Sequence, residues 1–120
     1  MANTIVLNYN KSTGGDEELF NKTAEDWAKA IEKTKKSQLR NFYDKVLELE
    51  THSKHEEWTN VLPFVKMLNS KVAYGVSRSV VSREFQDMMT QCISKVNTKE
   101  DLKVFKLFFE AVLGFFKGRD

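Results

Sequence analysis

The chain has 120 residues, 41% hydrophobic and 30% charged, with one Pro and five Gly. That length suits one domain with a modest core, and so few turn residues argue against a β-rich fold. A single cysteine, Cys92, excludes an internal disulfide and a cysteine-only zinc site, and no apolar run approaches membrane-spanning length.

The formal net charge is only +2, so bulk charge does not declare a polyanion partner; its distribution says more. Residues 1–33 carry four Lys against six acids, and residues 34–120 carry fifteen Lys or Arg against eleven acids. No acid lies between Glu57 and Glu84, whereas Lys66, Lys71, Arg78 and Arg83 do. That window is the clearest electrostatic signal in the chain.

Residues 1–22 break any periodicity and read as a loosely ordered N-terminal segment. The short Ile5-Val6-Leu7 run has no basic flank, so it does not fit a signal peptide, and the Met1-Ala2 start does not fit myristoylation. The cytoplasm is the expected location.

From residue 23 onward the spacing predicts an all-α fold, a compact five-helix bundle forming a single domain over 23–120. The first helix opens near Thr23, with Thr23 as cap, Asp26 as capping-box partner and Phe20 stapled to Trp27. Ala24, Trp27, Ala28 and Ile31 share its apolar face. The second starts after Ser37 or a turn earlier at Thr34, and Leu39, Phe42, Tyr43, Val46 and Leu49 follow helical spacing. The third segment, about 55–77, contains Pro63, which predicts a kink or a break into two helices. Phe64, Val65, Met67, Leu68, Val72 and Val76 are its apolar positions. The fourth runs from about Arg83 to Val96 with Ser82 as cap. The fifth is capped by Thr98 with Asp101 as box partner. Its broad apolar stripe includes Phe105, Phe108, Phe109 and Phe116, wide enough to pack against several neighbours.

Catalytic constellations are weak. His55-Glu56-Glu57-Trp58-Thr59 opens like the zinc-protease H-E-x-x-H pattern, but Thr59 replaces the second histidine. His52 and His55 have no further Cys or His nearby, so they read as solvated residues rather than metal ligands. Cys92 falls among Phe85, Met88, Met89 and Ile93 and reads as a buried, inert thiol. No glycine-rich loop follows a strand, so there is no nucleotide fingerprint. No catalytic residue, metal or cofactor is expected.

Tyr74 stands out. It follows Lys71 by three residues and precedes Arg78 by four, so the three share one helix face. A cation–aromatic–cation stripe tracks a phosphate backbone and stacks a base or sugar on the ring. The plain alternative is a solvated face; the missing acids favour a polyanion surface.

Three stretches resemble a known family. Ser37-Gln38-Leu39-Arg40-Asn41-Phe42-Tyr43 is similar to its S-Q-L-R-x-F-Y helix opening. Lys71-Val72-Ala73-Tyr74-Gly75-Val76-Ser77-Arg78 resembles its K-x-A-Y-x-x-x-R stretch, and the aromatic run 108–117 resembles its last helix. The family is the small subunit of the type III-A CRISPR interference complex, the Csm complex. The resemblance spans 34–120. It implies a helical, non-catalytic, RNA-binding subunit acting in antiviral defence. Several copies stack head to tail beside the guide-carrying backbone subunits, with the large subunit also a partner. They support the guide RNA–target RNA duplex mainly through the target strand's backbone. It lends weight to Arg40, Lys71, Tyr74 and Arg78; Lys36, Lys54, Lys66 and Arg83 are added on charge and position. The competing reading is a helical adaptor whose basic face binds an acidic protein.

Overall fold

Five α-helices take up the periodic segments of the chain in a computed structural model, which describes residues 4–118. They are α1 (Lys22–Ala30), α2 (Lys36–Ser53), α3 (Trp58–Ser77), α4 (Arg83–Ser94) and α5 (Lys99–Phe115), and the described residues include no strand. This is the all-α bundle that the spacing predicts.

Two caps form as expected. The Ser82 hydroxyl accepts from the Phe85 amide at 3.1 Å and opens α4. Thr98 and Asp101 make a reciprocal capping box at α5, satisfying amides that no helical carbonyl reaches. Thr23 does not act as a cap. It lies buried inside the first turn of α1, and its hydroxyl donates to the Asp16 carboxylate at 2.6 Å. A charged acceptor close at hand outcompetes the backbone for that hydroxyl. Asp26 pairs with Lys22 at 3.0 Å instead of closing a box.

Pro63 breaks nothing: α3 is one element from Trp58 to Ser77. The proline sits in the second turn, so the only helical bond it deletes is the one to the Thr59 carbonyl. Thr59 and Pro63 are both exposed, which leaves that carbonyl open to water.

The segment before α1 carries more packing than its composition suggests. Ile5 and Leu19 are fully buried, and Leu7 joins the same core. The Ile5 amide donates to Gln91 Oε1 at 2.9 Å, and Lys95 Nζ donates to the Ile5 carbonyl, so α4 grips this strand-like stretch by its backbone. Asn8 and Asn10 fold the turn that follows, and a Cβ on Gly15 would meet the Asn8 carbonyl at 2.5 Å. Side-chain-to-backbone bonds of this kind order a chain without hydrophobic periodicity, which is why the sequence pattern does not announce them.

The helices close a ring: α1 packs on α5, α5 on α2, α2 on α3, α3 on α4, and α4 on α1. Rings from three helices meet at its centre. Phe85 of α4 lies 5.4 Å from Phe42 of α2 and 6.1 Å from Phe109 of α5, and Phe105 lies 6.3 Å from Phe109. At the other edge of α3, Gly75 lets the following turn approach, because a Cβ there would stand 3.0 Å from Val81. No described helix is long and apolar enough to cross a membrane.

Phe109 is fully buried in that aromatic junction. Phe109→Ala is expected to cost about 3–5 kcal/mol, a large share of the stability of a small domain. Thermal or urea unfolding followed by circular dichroism checks this; an unchanged midpoint would place the ring outside the load of the core.

Candidate nucleic-acid interface

Helix α3 has two distinct faces. Val61, Val65, Leu68, Val72 and Gly75 are buried and hold the helix to its neighbours. Phe64, Met67, Lys71, Tyr74 and Arg78 recur at alternating spacings of three and four and are all exposed. By helical geometry this second stripe is turned about 100° from the first. A side chain on it is presented to solvent while the backbone beneath is fixed by packing.

The upper part of the stripe is polar and aromatic. Tyr74 is 62% exposed, and the Arg78 guanidinium lies 5.5 Å from the centre of its ring. Arg78 Nη1 also donates to the Tyr74 hydroxyl at 3.1 Å. The two side chains thus hold one another in a single cation–aromatic unit. Lys71 stands a turn below, with no ion pair recorded to it among the described residues. Arg78 closes α3, and Ser79 then takes a left-handed φ of 60° that sends the chain toward α4.

That turn gathers further cations. The Lys35 amide donates to the Val80 carbonyl at 3.2 Å, and the buried Thr34 hydroxyl accepts from the Ser82 amide at 3.0 Å. This pins the α1–α2 connection to the start of α4. Lys33 and Arg83 line a shallow hollow there with Ser79 and Ser82, and Glu84 is its acid. Lys36 is exposed in the first turn of α2 beside the same junction. Sequence reasoning passed over Lys33 and Lys35; the run Lys33-Thr34-Lys35-Lys36 was the available signal.

Other candidates fall elsewhere. Lys66 precedes Lys71 by five residues, which rotates it about 140° away around α3. Lys54 follows α2 at the opposite end of α3 from Arg78, about 30 Å along the helix, and lies 3.9 Å from the buried Glu50. Arg40 does not widen the α3 stripe. The side of α2 facing α3 carries Lys45, Glu48, Leu49 and His52, whereas Arg40 lies one turn from Tyr43, which meets Phe109 and Glu110 of α5. Arg40 and Lys36, four residues apart and both exposed, extend the basic end along this α5 side.

Phe64 and Met67 are not core residues as their spacing suggested; they are 54% and 45% exposed. With Lys45, Leu49, His52 and Lys71 they line an open groove of about 360 Å³ between α2 and α3. His52 and His55 are both exposed, and no group of three or more His, Cys, Asp or Glu able to hold a metal is found among the described residues. The Tyr43 phenol is pushed up from its ordinary value, first by partial burial and then by the Glu110 carboxylate, which accepts from it at 3.2 Å.

The family model for Csm2 Type III-A matches residues 15–119. The chain belongs to the type III-A Csm2 family. It is therefore a subunit of the type III-A CRISPR Csm complex, from a family of structural subunits. The Csm2 match starts at Gly15, well upstream of the stretches that carry the resemblance in sequence, so part of the segment before α1 belongs to the family's pattern as well. No curated protein sequence and no solved structure matches the chain.

Cys92 is completely buried in α4, and burial pushes its thiol far up from the ordinary range. Since the thiolate is the reactive form, the native protein is expected to leave an aromatic disulfide reagent unreacted near neutral pH and to release one equivalent of thiol on unfolding. Rapid labelling of the folded chain would contradict the burial of α4.

Proposed function

We propose that this Csm2 chain is a non-catalytic, RNA-binding structural subunit that stacks in several copies and supports the guide–target RNA duplex. Lys71, Tyr74 and Arg78 are its principal RNA contacts, and Arg83 and Lys36 continue the surface around the α3–α4 turn. It acts in the cytoplasm, beside the backbone and large subunits of the complex. The observation that carries this reading is the acid-free α3 stripe, where a mutually braced Tyr74–Arg78 pair stands one turn above Lys71.

Lys71 and Arg78 are seven residues apart, about 10.5 Å along the helix axis. That span fits phosphates one or two steps apart on a single strand. Phosphate contacts position a protein on a nucleic acid without reading its sequence, and the guide already supplies sequence by base pairing. Tyr74 offers a sugar or base a flat face that tolerates any nucleotide. A modest charge on each copy is sufficient, because weak contacts sum along a stack that holds them at fixed spacing.

One observation favours the second reading, an adaptor that binds protein: Phe64 and Met67 offer nothing to a phosphate. The two readings separate on salt. Lys71→Ala and Arg78→Ala are each expected to weaken binding to unrelated single-stranded RNAs, leave the helical signal unchanged, and flatten the log–log salt dependence by about one unit. Tyr74→Ala weakens binding with a smaller change in slope, since stacking is not a charge effect. Normal RNA binding by a Lys71→Glu/Arg78→Glu protein would reduce the stripe to a solvated face. Failure of that protein to assemble would make it a subunit contact.

The purified chain is also expected to cut no RNA, with or without divalent metal. Cleavage that co-elutes with the protein and vanishes in a His55→Ala variant would overturn the non-catalytic role.

A further inference from the structure

Phosphate contacts leave the lower half of the α3 stripe without a role. Phe64 and Met67 continue the Lys71–Tyr74–Arg78 series at the same spacing, and both are exposed on a helix held in place by its buried valines. Phe64 precedes Lys71 by seven residues, the interval that separates Lys71 from Arg78, or about 10.5 Å along the axis. Lys71 therefore has an exposed aromatic ring on either side of it along the helix, Tyr74 above and Phe64 below.

The groove that Phe64 lines holds about 360 Å³, near the foot of the range of about 300–1,000 Å³ that small-ligand sites span. Its chemistry is mixed. Phe64, Met67 and Leu49 give it apolar surface, and Asn60 and His52 bring side chains that both donate and accept hydrogen bonds. Lys45 and Lys71 are its cations against the single acid Glu48, and α3 itself carries no acid. A flat ring, a few polar groups and an excess of cations match a nucleotide: a planar base with hydrogen-bonding edges, attached to a phosphate. They match a docked helix less well. Such a helix is held by apolar anchors over about two turns, whereas the large apolar side chains exposed on this half of α3 end after one, at Phe64 and Met67.

We propose that the α2–α3 groove is a nucleobase site: it takes one unpaired base of the RNA strand whose phosphates lie on Lys71 and Arg78, and Phe64 is the ring on which that base stacks. Lys71 belongs to both halves of the surface, since it lines the groove and stands a turn below the Tyr74–Arg78 pair. Stacking on an aromatic side chain accepts any base, because every base has a flat face, so the site adds affinity without a sequence code. A base inside a duplex has both faces covered by its neighbours. The groove therefore distinguishes an unpaired position from a paired one, which the phosphate contacts alone do not. The inference rests on the RNA-binding part of the proposed function and adds a second kind of contact to the same helix.

The test compares the full chain with Phe64→Leu, which keeps apolar volume but loses the flat face, and Phe64→Trp, which keeps the face. The probes are a short oligouridine and an abasic ribose-phosphate oligomer of the same length. Phe64→Leu is expected to weaken oligouridine binding by about 5- to 150-fold, the range of one base–aromatic stack, with the salt slope and the unfolding midpoint unchanged. Phe64→Trp binds as the unsubstituted chain does, and all three proteins bind the abasic oligomer equally. Independently of any substitution, an oligouridine carrying 5-iodouridine is expected to photo-crosslink to a peptide containing Phe64. Equal oligouridine binding by Phe64→Leu and the unsubstituted chain overturns the base site, and the phosphate stripe stands if Lys71→Glu/Arg78→Glu still loses binding. An equal loss on the abasic oligomer overturns it too, because no base is then involved. A Phe64→Leu chain that binds RNA normally but fails to enter the Csm complex makes the groove a protein contact. An unsubstituted chain that binds neither oligomer removes the RNA reading itself.

Discussion

Phe85 stands between Phe42 and Phe109, and through those three rings α2, α4 and α5 are tied at one point. Tilted and edge-on contacts between rings add about 0.5–1.5 kcal/mol per pair to what area burial supplies. More important is their placement. The junction sets α2 directly against α4, and α3 packs on both, taking its seat there. Everything exposed on α3 inherits its position from that seat.

The seat is economical in residues. One face of α3 suffices to hold it, because Gly75 admits the Val81 turn and the buried valines fill the rest. The neighbouring stripe is thereby released from packing and can carry whatever a partner needs. Its chemistry changes along its length, from Phe64 and Met67 at one end to Tyr74 and Arg78 at the other. Lys71 marks the boundary, lining the groove and standing a turn below the Tyr74–Arg78 pair. One rigid helix thus presents an apolar half and a cationic half at a constant offset.

The basic end depends on a separate device. Thr34, fully buried, binds both the amide and the hydroxyl of Ser82, while Ser82 caps α4. One hydroxyl pair thus joins the α1–α2 connection to the α3–α4 turn. It brings the Lys33–Lys36 run up to Arg83 without burying any charge. Burying those amines would carry a desolvation penalty; fixing their backbone and leaving their heads in water avoids it.

The sequence by itself determined the helical class, the α4 and α5 caps, the burial of Phe105, Phe108, Phe109 and Cys92, and the family. These rest on local periodicity, on hydroxyl-to-amide bonds three residues apart, and on motifs read in order. The Lys71–Tyr74–Arg78 face was legible for the same reason, since residues three and four apart on a helix are neighbours whatever surrounds them. Tertiary structure alone decided the rest. Phe64 and Met67 are as apolar as the core residues beside them, and only the seating of α3 left them outside. Arg40 and Lys66 are as basic as Lys71, and only the rotation of their helices turned them elsewhere. Ile5 lies in a stretch without period, and its backbone is fixed by Gln91 and Lys95, some ninety residues along the chain, an acceptor and a donor that no local pattern can see.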